Sequence, residues 1–233
     1  MRPVEKGVAP GKFAKHGDAE PELIMRLGKH CSYCEAFGEA TALDVEHIYP
    51  QMAHPKRAKV WDNFLLSCKS CNSKKNGHLG SGKQRALMKR YLWPHTDNTA
   101  RAFQYHGDGR VEPAPTVSPL VRKLAEATIK MIGSLSSPAA AGPFENLSIA
   151  YTGVSIRSGV WAEVEEIKKD YVANPSPGFA RALANLAVAR GYFSIWMEVF
   201  KDRPEYRREL IVAFKADPNC FDAASNTVPK GRA

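Results

Sequence analysis

No apolar run in the 233 residues approaches the roughly 20 that a membrane-spanning helix needs, and no internal repeat is visible. The opening stretch, MRPVEKGVAPGKFAKHG, carries charge but lacks the apolar segment of a secretory signal. The expected setting is therefore the cytoplasm, with no membrane partner. Cysteine is scarce: there are five, and four of them fall in two Cys-x-x-Cys pairs. In a reducing compartment such pairs point to a metal rather than to disulfides. The fifth, Cys220, stands alone and is expected to be a small, partly buried residue. Acid is nearly missing between Lys56 and Arg90, where Asp62 faces ten Lys or Arg. That window accounts for the whole net charge of +9, so the remainder is about neutral. A charge run is ordinarily solvated surface, but this one overlaps the cysteine pairs, which favours a polyanionic partner. An apolar fraction of 44% excludes wholesale disorder.

Taken in order, residues 1–20 read as an extended arm. AEPELIMRLGKH predicts a short helix stopped by Gly28. CSYC follows as a tight turn. A strand is expected within Ala42–Tyr49, ended by Pro50, and a second at Phe64–Leu66 after a polar, basic connection. A helix is expected from near Asn72, broken at GHLGSG, with helical character again over Lys83–Leu92. FQYHGDGRV reads as a β-hairpin turning at residues 107–109. Ser118-Pro119 is an N-cap and first-turn pair for a helix ending at Gly133. Residues 136–143 have linker composition. Beyond them, amphipathic stretches at Arg157–Val172, Phe179–Arg190, Tyr192–Phe200 and after Pro204 predict helices that pack on one another. The last residues, from about Ala223, read as frayed. The organisation expected is α+β: residues 1–135 as one domain, a linker at 136–143, and a mainly α-helical region at 144–233 suited to binding a partner.

The chemistry lies between Cys31 and His78. Each Cys-x-x-Cys lets two thiolates hold one ion from a single turn. Cys31, Cys34, Cys68 and Cys71 together would make a closed, tetrahedral sulfur site, which suits structural zinc. His47 follows Glu46, and on a strand the two side chains point to opposite sides, so that one can hold a cation while the other faces a water. Asn72 abuts the second cysteine pair and offers a further oxygen ligand. Asn63 stands just before the second strand, where its amide could fix the intervening loop or orient the imidazole. Lys69, Lys74 and Lys75 are candidate phosphate contacts. Asp44 shares a strand face with Glu46 and could support it. His78 reads as a surface residue, Trp61 and Trp93 as core, and His95 and Asp97 have no evident chemical role.

These residues resemble the HNH endonuclease family in its four-cysteine form. That family places an acid-His dipeptide in the first strand, an Asn before the second, and a His or Asn in the helix. Glu46-His47, Asn63 and Asn72 match, over roughly a quarter of the chain. The flanking stretches MRPVEKG, CSYCE, VEHIYP, WDNFLLSCKSCNSKK, YLWPHTDN and FQYHGDGRV extend the likeness over about residues 1–135. They resemble one subgroup, the PtuB-like HNH subunits of Septu-type and retron-associated anti-phage defence systems. The resemblance implies a ββα-metal (His-Me finger) core that hydrolyses DNA. His47 would be the general base and Glu46 and Asn72 would hold a catalytic Mg²⁺ or Mn²⁺ ion. It also implies an ABC/SMC-like ATPase partner, PtuA-like. Glu46 departs from the commoner Asp, and Asn72 from the final His of the family pattern. The alternative is a non-catalytic, zinc-stabilised nucleic-acid-binding or adaptor module, which would need neither Glu46-His47 nor Asn72.

Overall fold

The computed structural model describes residues 1–38, 42–80, 86–135 and 147–233, with side chains in the last range from residue 153 onward. The expected linker at 136–143 lies outside these residues. Helix α1 (Glu20–Leu27) starts with a first-turn Pro21 and ends where Gly28 takes φ +73°. Strands β1 (Leu43–His47) and β2 (Phe64–Cys68) pair antiparallel, with Glu46 opposite Leu65 and His47 opposite Phe64. Helix α2 (Lys69–Leu79) leaves β2 directly, so the order is strand, excursion, strand, helix. After a single turn, α3 (Leu87–Arg90), and another, α4 (Thr99–Ala102), comes the expected hairpin, β3 (Phe103–Tyr105) with β4 (Val111–Pro113). Helix α5 (Pro119–Ile132) is capped by the Ser118 hydroxyl accepting from Val121 N and closes at Gly133. Such a cap is worth about 1 kcal/mol.

Four helices complete the chain: α6 (Leu147–Ala173), α7 (Pro177–Arg190), α8 (Phe193–Val199) and α9 (Pro204–Ala213). Their apolar stripes pack on one another as the periodicity predicts, with Val160, Val164 and Tyr171 of α6 buried beside Trp196 and Phe200. Among the described residues, no helix is long and apolar enough to cross a membrane.

The helical half shares its core with the ββα half. The turn after Cys34 docks on the α7–α8 junction: Ala36 bridges Gly191, and Tyr192 N donates to Glu35 O at 3.0 Å. Only glycine fits at 191, because φ is +79° and a Cβ would lie 2.7 Å from Phe37 N. Gly109 of the hairpin turn is pressed on α6 in the same way, its absent Cβ falling 2.1 Å from Val154 O. Arg157 of α6, 2% exposed, donates to Gly109 O and Ser134 O and ties hairpin, α5 and α6 together.

Two sequence expectations fail at the chain ends. The first six residues form no outlying arm. Met1 and Val4 are wholly buried, and the Lys6 ammonium donates to the carbonyls of Trp61, Asp62 and Phe64 at 2.8–3.1 Å. Nor is the tail frayed. Asn98 Nδ2 donates to Cys220 O and Val228 O, Arg232 forks onto Asp97, and Ala233 is 3% exposed. In both places polar sequence conceals burial, because its donors are satisfied by specific distant carbonyls and carboxylates.

Candidate active site

The four paired cysteines converge. Cys31 and Cys34 sit in the turn after α1, Cys68 ends β2, and Cys71 lies in the first turn of α2. Their Sγ atoms all fall within 4.8 Å of one another, and Cys34 Sγ to Cys68 Sγ is 3.8 Å. Thiolates at a Zn–S distance of about 2.3 Å on a tetrahedron stand about 3.8 Å apart, so the cage has the size zinc requires. The thiols cannot all ionise without a cation. Burial opposes ionisation of Cys31, yet hydrogen bonds from Cys34, Cys68 and Cys71 hold it well below its ordinary value. Cys34 and Cys71 are driven well above theirs, first by hydrogen bonding to Cys31. A divalent soft-ligand ion removes that conflict. With all four positions taken by protein, an ion held there would be structural. Cys220 is buried and apart from this cluster.

His47 opens onto a cleft of about 680 Å³ between β1 and α2, lined also by Asp44, Asn72, Asn76, His16 and Glu20. Its Nε2 lies 3.0 Å from the carbonyl oxygen of Ala58. A carbonyl only accepts, so the proton of the neutral ring sits on Nε2 and the lone pair on Nδ1. Burial lowers the imidazole pKa below its ordinary value against the pull of the Ala58 bond, and His16 and Lys75 lower it further. The ring packs edge-on to Phe64 at 5.3 Å and to His16 at 4.9 Å. A half-buried, neutral histidine with one nitrogen fixed by the backbone is equipped to take a proton.

Asn63 holds the excursion that carries Ala58. Its Oδ1 accepts from Tyr49 N at 2.8 Å, and its Nδ2 donates to Tyr49 O at 3.1 Å and to Arg57 O at 3.0 Å. It does not touch the imidazole; it shapes the loop whose carbonyl does. Asn72 lines the cleft, its Oδ1 accepting from Asn76 Nδ2 at 2.9 Å.

Glu46 does not sit where an ion ligand should. Its carboxylate has no exposure, accepts from the Tyr33 hydroxyl at 2.7 Å and is ion-paired with Lys75. Tyr33 stays protonated, its pKa raised by burial and then by the Glu46 charge. The strand alternation that separates Glu46 from His47 turns the carboxylate inward, where Tyr33 and Lys75 occupy both oxygens. Of the expected Glu46–Asn72 ligand pair, Asn72 lines the cleft and Glu46 does not. Lys75 departs from expectation for the same reason. Its ammonium has no exposure and also donates to the carbonyls of His47 and Ile48, so it cannot reach a phosphate. Lys69 is exposed at the start of α2, and the stem of Lys74 lies across Gly133.

The residues that sequence reasoning passed over come from elsewhere in the chain. His16 reaches His47 from the N-terminal segment, and no local pattern marks it. Lys56, Arg57 and Lys59 are exposed on the excursion, beside Ala58, with the Arg57 guanidinium over the Tyr49 ring at 4.4 Å. Their place in the basic window was legible, but not their nearness to His47.

A short antiparallel pair, an excursion, a helix and a four-cysteine cage make the ββα-metal arrangement of an HNH domain, and residues 31–77 match the HNH endonuclease family. Over 58 residues the chain is 42% identical to the Septu protein PtuB of Bacillus thuringiensis. That match spans 24% of this chain and 23% of the relative's length.

Proposed function

We propose that this protein is an endonuclease that hydrolyses DNA phosphodiester bonds with His47 as general base, within an anti-phage defence system. The observation that carries the reading is the Ala58 carbonyl on His47 Nε2, which leaves Nδ1 as the free acceptor of a residue that lines an open cleft. Nδ1 takes a proton from water as the oxygen attacks phosphorus in line, and the P–O3′ bond breaks, the departing 3′ oxygen taking a proton from solvent. Asn63 keeps the Ala58 carbonyl in place, and the exposed Lys56, Arg57 and Lys59 hold the backbone of the substrate near the cleft. Zinc in the four-cysteine cage fixes β2 and α2 relative to the turn at Cys31–Cys34.

Activity is proposed to require Mg²⁺ or Mn²⁺, which when bound supplies charge stabilisation at the phosphate. Asn72 offers it an oxygen at the cleft, whereas Glu46 as placed does not. An ABC/SMC-like ATPase, PtuA-like, is the proposed partner, with the helices after residue 147 as the surface it meets.

The test is cleavage of supercoiled and linear DNA with each metal, with and without the ATPase, by wild-type protein and His47→Ala. The variant should lose cleavage by a factor of about 10²–10⁴ while keeping its zinc and its unfolding transition. Because only the neutral ring accepts a proton, and burial lowers its pKa from the ordinary 6.5, the acid midpoint of wild-type cleavage should lie below 6.5. Full cleavage by His47→Ala sinks the assignment. DNA binding without cleavage under every condition favours the non-catalytic module instead.

A further inference from the structure

A second cavity, of about 460 Å³, lies among α4, the β3–β4 hairpin, α8, α9 and the C-terminal tail. It shares no lining residue with the His47 cleft. Its volume is that of a small-molecule site. Three cations line it: Arg101 of α4, Lys201 just after α8, and Arg207 of α9. Lys201 is already paired with Glu198 at 3.2 Å.

Arg207 is different. It is 8% exposed, its Nε is buried without a hydrogen-bond partner, and among the described residues its guanidinium makes no hydrogen bond or ion pair. Glu198 and Asp222 act on its charge from farther off. Glu198 is engaged by Lys201, and Asp222 accepts from the backbone of Ala224 and Asn226. A buried, unpartnered guanidinium is costly, and the cost falls away once an anion fills the space it faces. Arg101 adds a second guanidinium whose side chain makes no hydrogen bond or ion pair among the described residues. A planar fork with two such cations suits phosphate better than a point-like anion. The remaining wall is mixed, and part of it is aromatic: Phe221 is partly exposed, with Phe103 and Phe193 almost wholly buried behind it. Anion and aromatic surface together describe a ligand with a phosphate and a flat ring.

We propose that this cavity binds a nucleotide, its phosphate on Arg207 and Arg101 and its base against Phe221, separately from the substrate cleft. The test uses the full chain without added divalent cation. Calorimetric titration and thermal unfolding are followed with AMP, ATP, adenosine, and inorganic phosphate or pyrophosphate.

AMP or ATP should bind and raise Tm, and adenosine should not. Free phosphate or pyrophosphate should bind at least about tenfold more weakly than the nucleotide. Arg207→Gln and the half-exposed Arg101→Gln should each weaken nucleotide binding about tenfold or more, while His47→Ala binds as wild type does. If Arg207→Gln fails to fold, Arg101→Gln decides alone. The proposal is overturned if no nucleotide binds at millimolar concentration, if Arg101→Gln binds unchanged, or if His47→Ala abolishes binding. Free phosphate matching AMP overturns it too, leaving an anion site with no use for the base.

Discussion

The Lys75 ammonium and the Glu46 carboxylate form an ion pair from which water is wholly excluded. Tyr33 and the carbonyls of His47 and Ile48 complete its shell. The pair joins α2 to β1, the strand that ends at His47. It positions His47 by holding the backbone on which that residue stands.

Breaking the pair from one side strands a buried charge, so Lys75→Met should cost about 3–5 kcal/mol in denaturant unfolding. The double variant Glu46→Gln with Lys75→Met leaves the Tyr33 hydroxyl an acceptor and removes both charges, and should recover much of that loss. A single-variant cost under about 1 kcal/mol would mean that Lys75 is not held as the structure shows.

Asn63 makes three hydrogen bonds inside the excursion, two of them as donor to carbonyls. Asn63→Ala should cost about 2–3 kcal/mol and reduce cleavage more than DNA binding. Asn63→Asp should do no better, since a carboxylate oxygen would face the Tyr49 and Arg57 carbonyls where a donor belongs. Near-wild-type cleavage by the Asp variant would contradict this role.

The cysteine cage should carry one zinc per chain, measured by elemental analysis. Cys34→Ser should lose it and unfold at markedly lower temperature, because zinc binding is folding free energy for a module of this size. Cys220→Ser should keep its zinc. Equal zinc content in both variants would place the ion elsewhere.

His95 has a buried Nδ1 without a hydrogen-bond partner among the described residues. Burial, with Lys6 and Lys230 nearby, pushes its pKa down to about 3 from 6.5. The folded state thus stays neutral where the unfolded chain binds a proton. Stability from this group is full above pH 6.5 and drains away as pH falls toward 3. His95→Gln should flatten the acid limb of the stability curve by about 1–3 kcal/mol at pH 4, read from denaturant midpoints. An unchanged acid limb would assign the loss to other groups.

Much of the element order was legible because its signals are local. Gly28 and Gly133 stop helices, Ser118-Pro119 starts one, and alternation at Phe103 and Tyr105 marks a strand. The helix carrying Asn72 begins earlier than expected, at Lys69, because Cys68 serves as its N-cap residue with extended backbone. The tail and the N-terminal segment misled because polar composition resembles disorder until its partners are known. Lys6 needs Trp61, and Arg232 needs Asp97, before either makes sense as a buried residue.

The cysteine spacing, the Glu46-His47 pair, the two asparagines and the basic window were all present in the primary order, since each is a matter of residue type and interval. Which of them meet was settled only by packing. Strand pleating turned Glu46 inward to Tyr33 and Lys75 and left His47 facing the cleft with its tautomer fixed by Ala58. Long-range packing left Arg207 of α9 buried, with its Nε lacking a hydrogen-bond partner among the described residues. No interval along the chain encodes such contacts, because they depend on where distant elements come to rest.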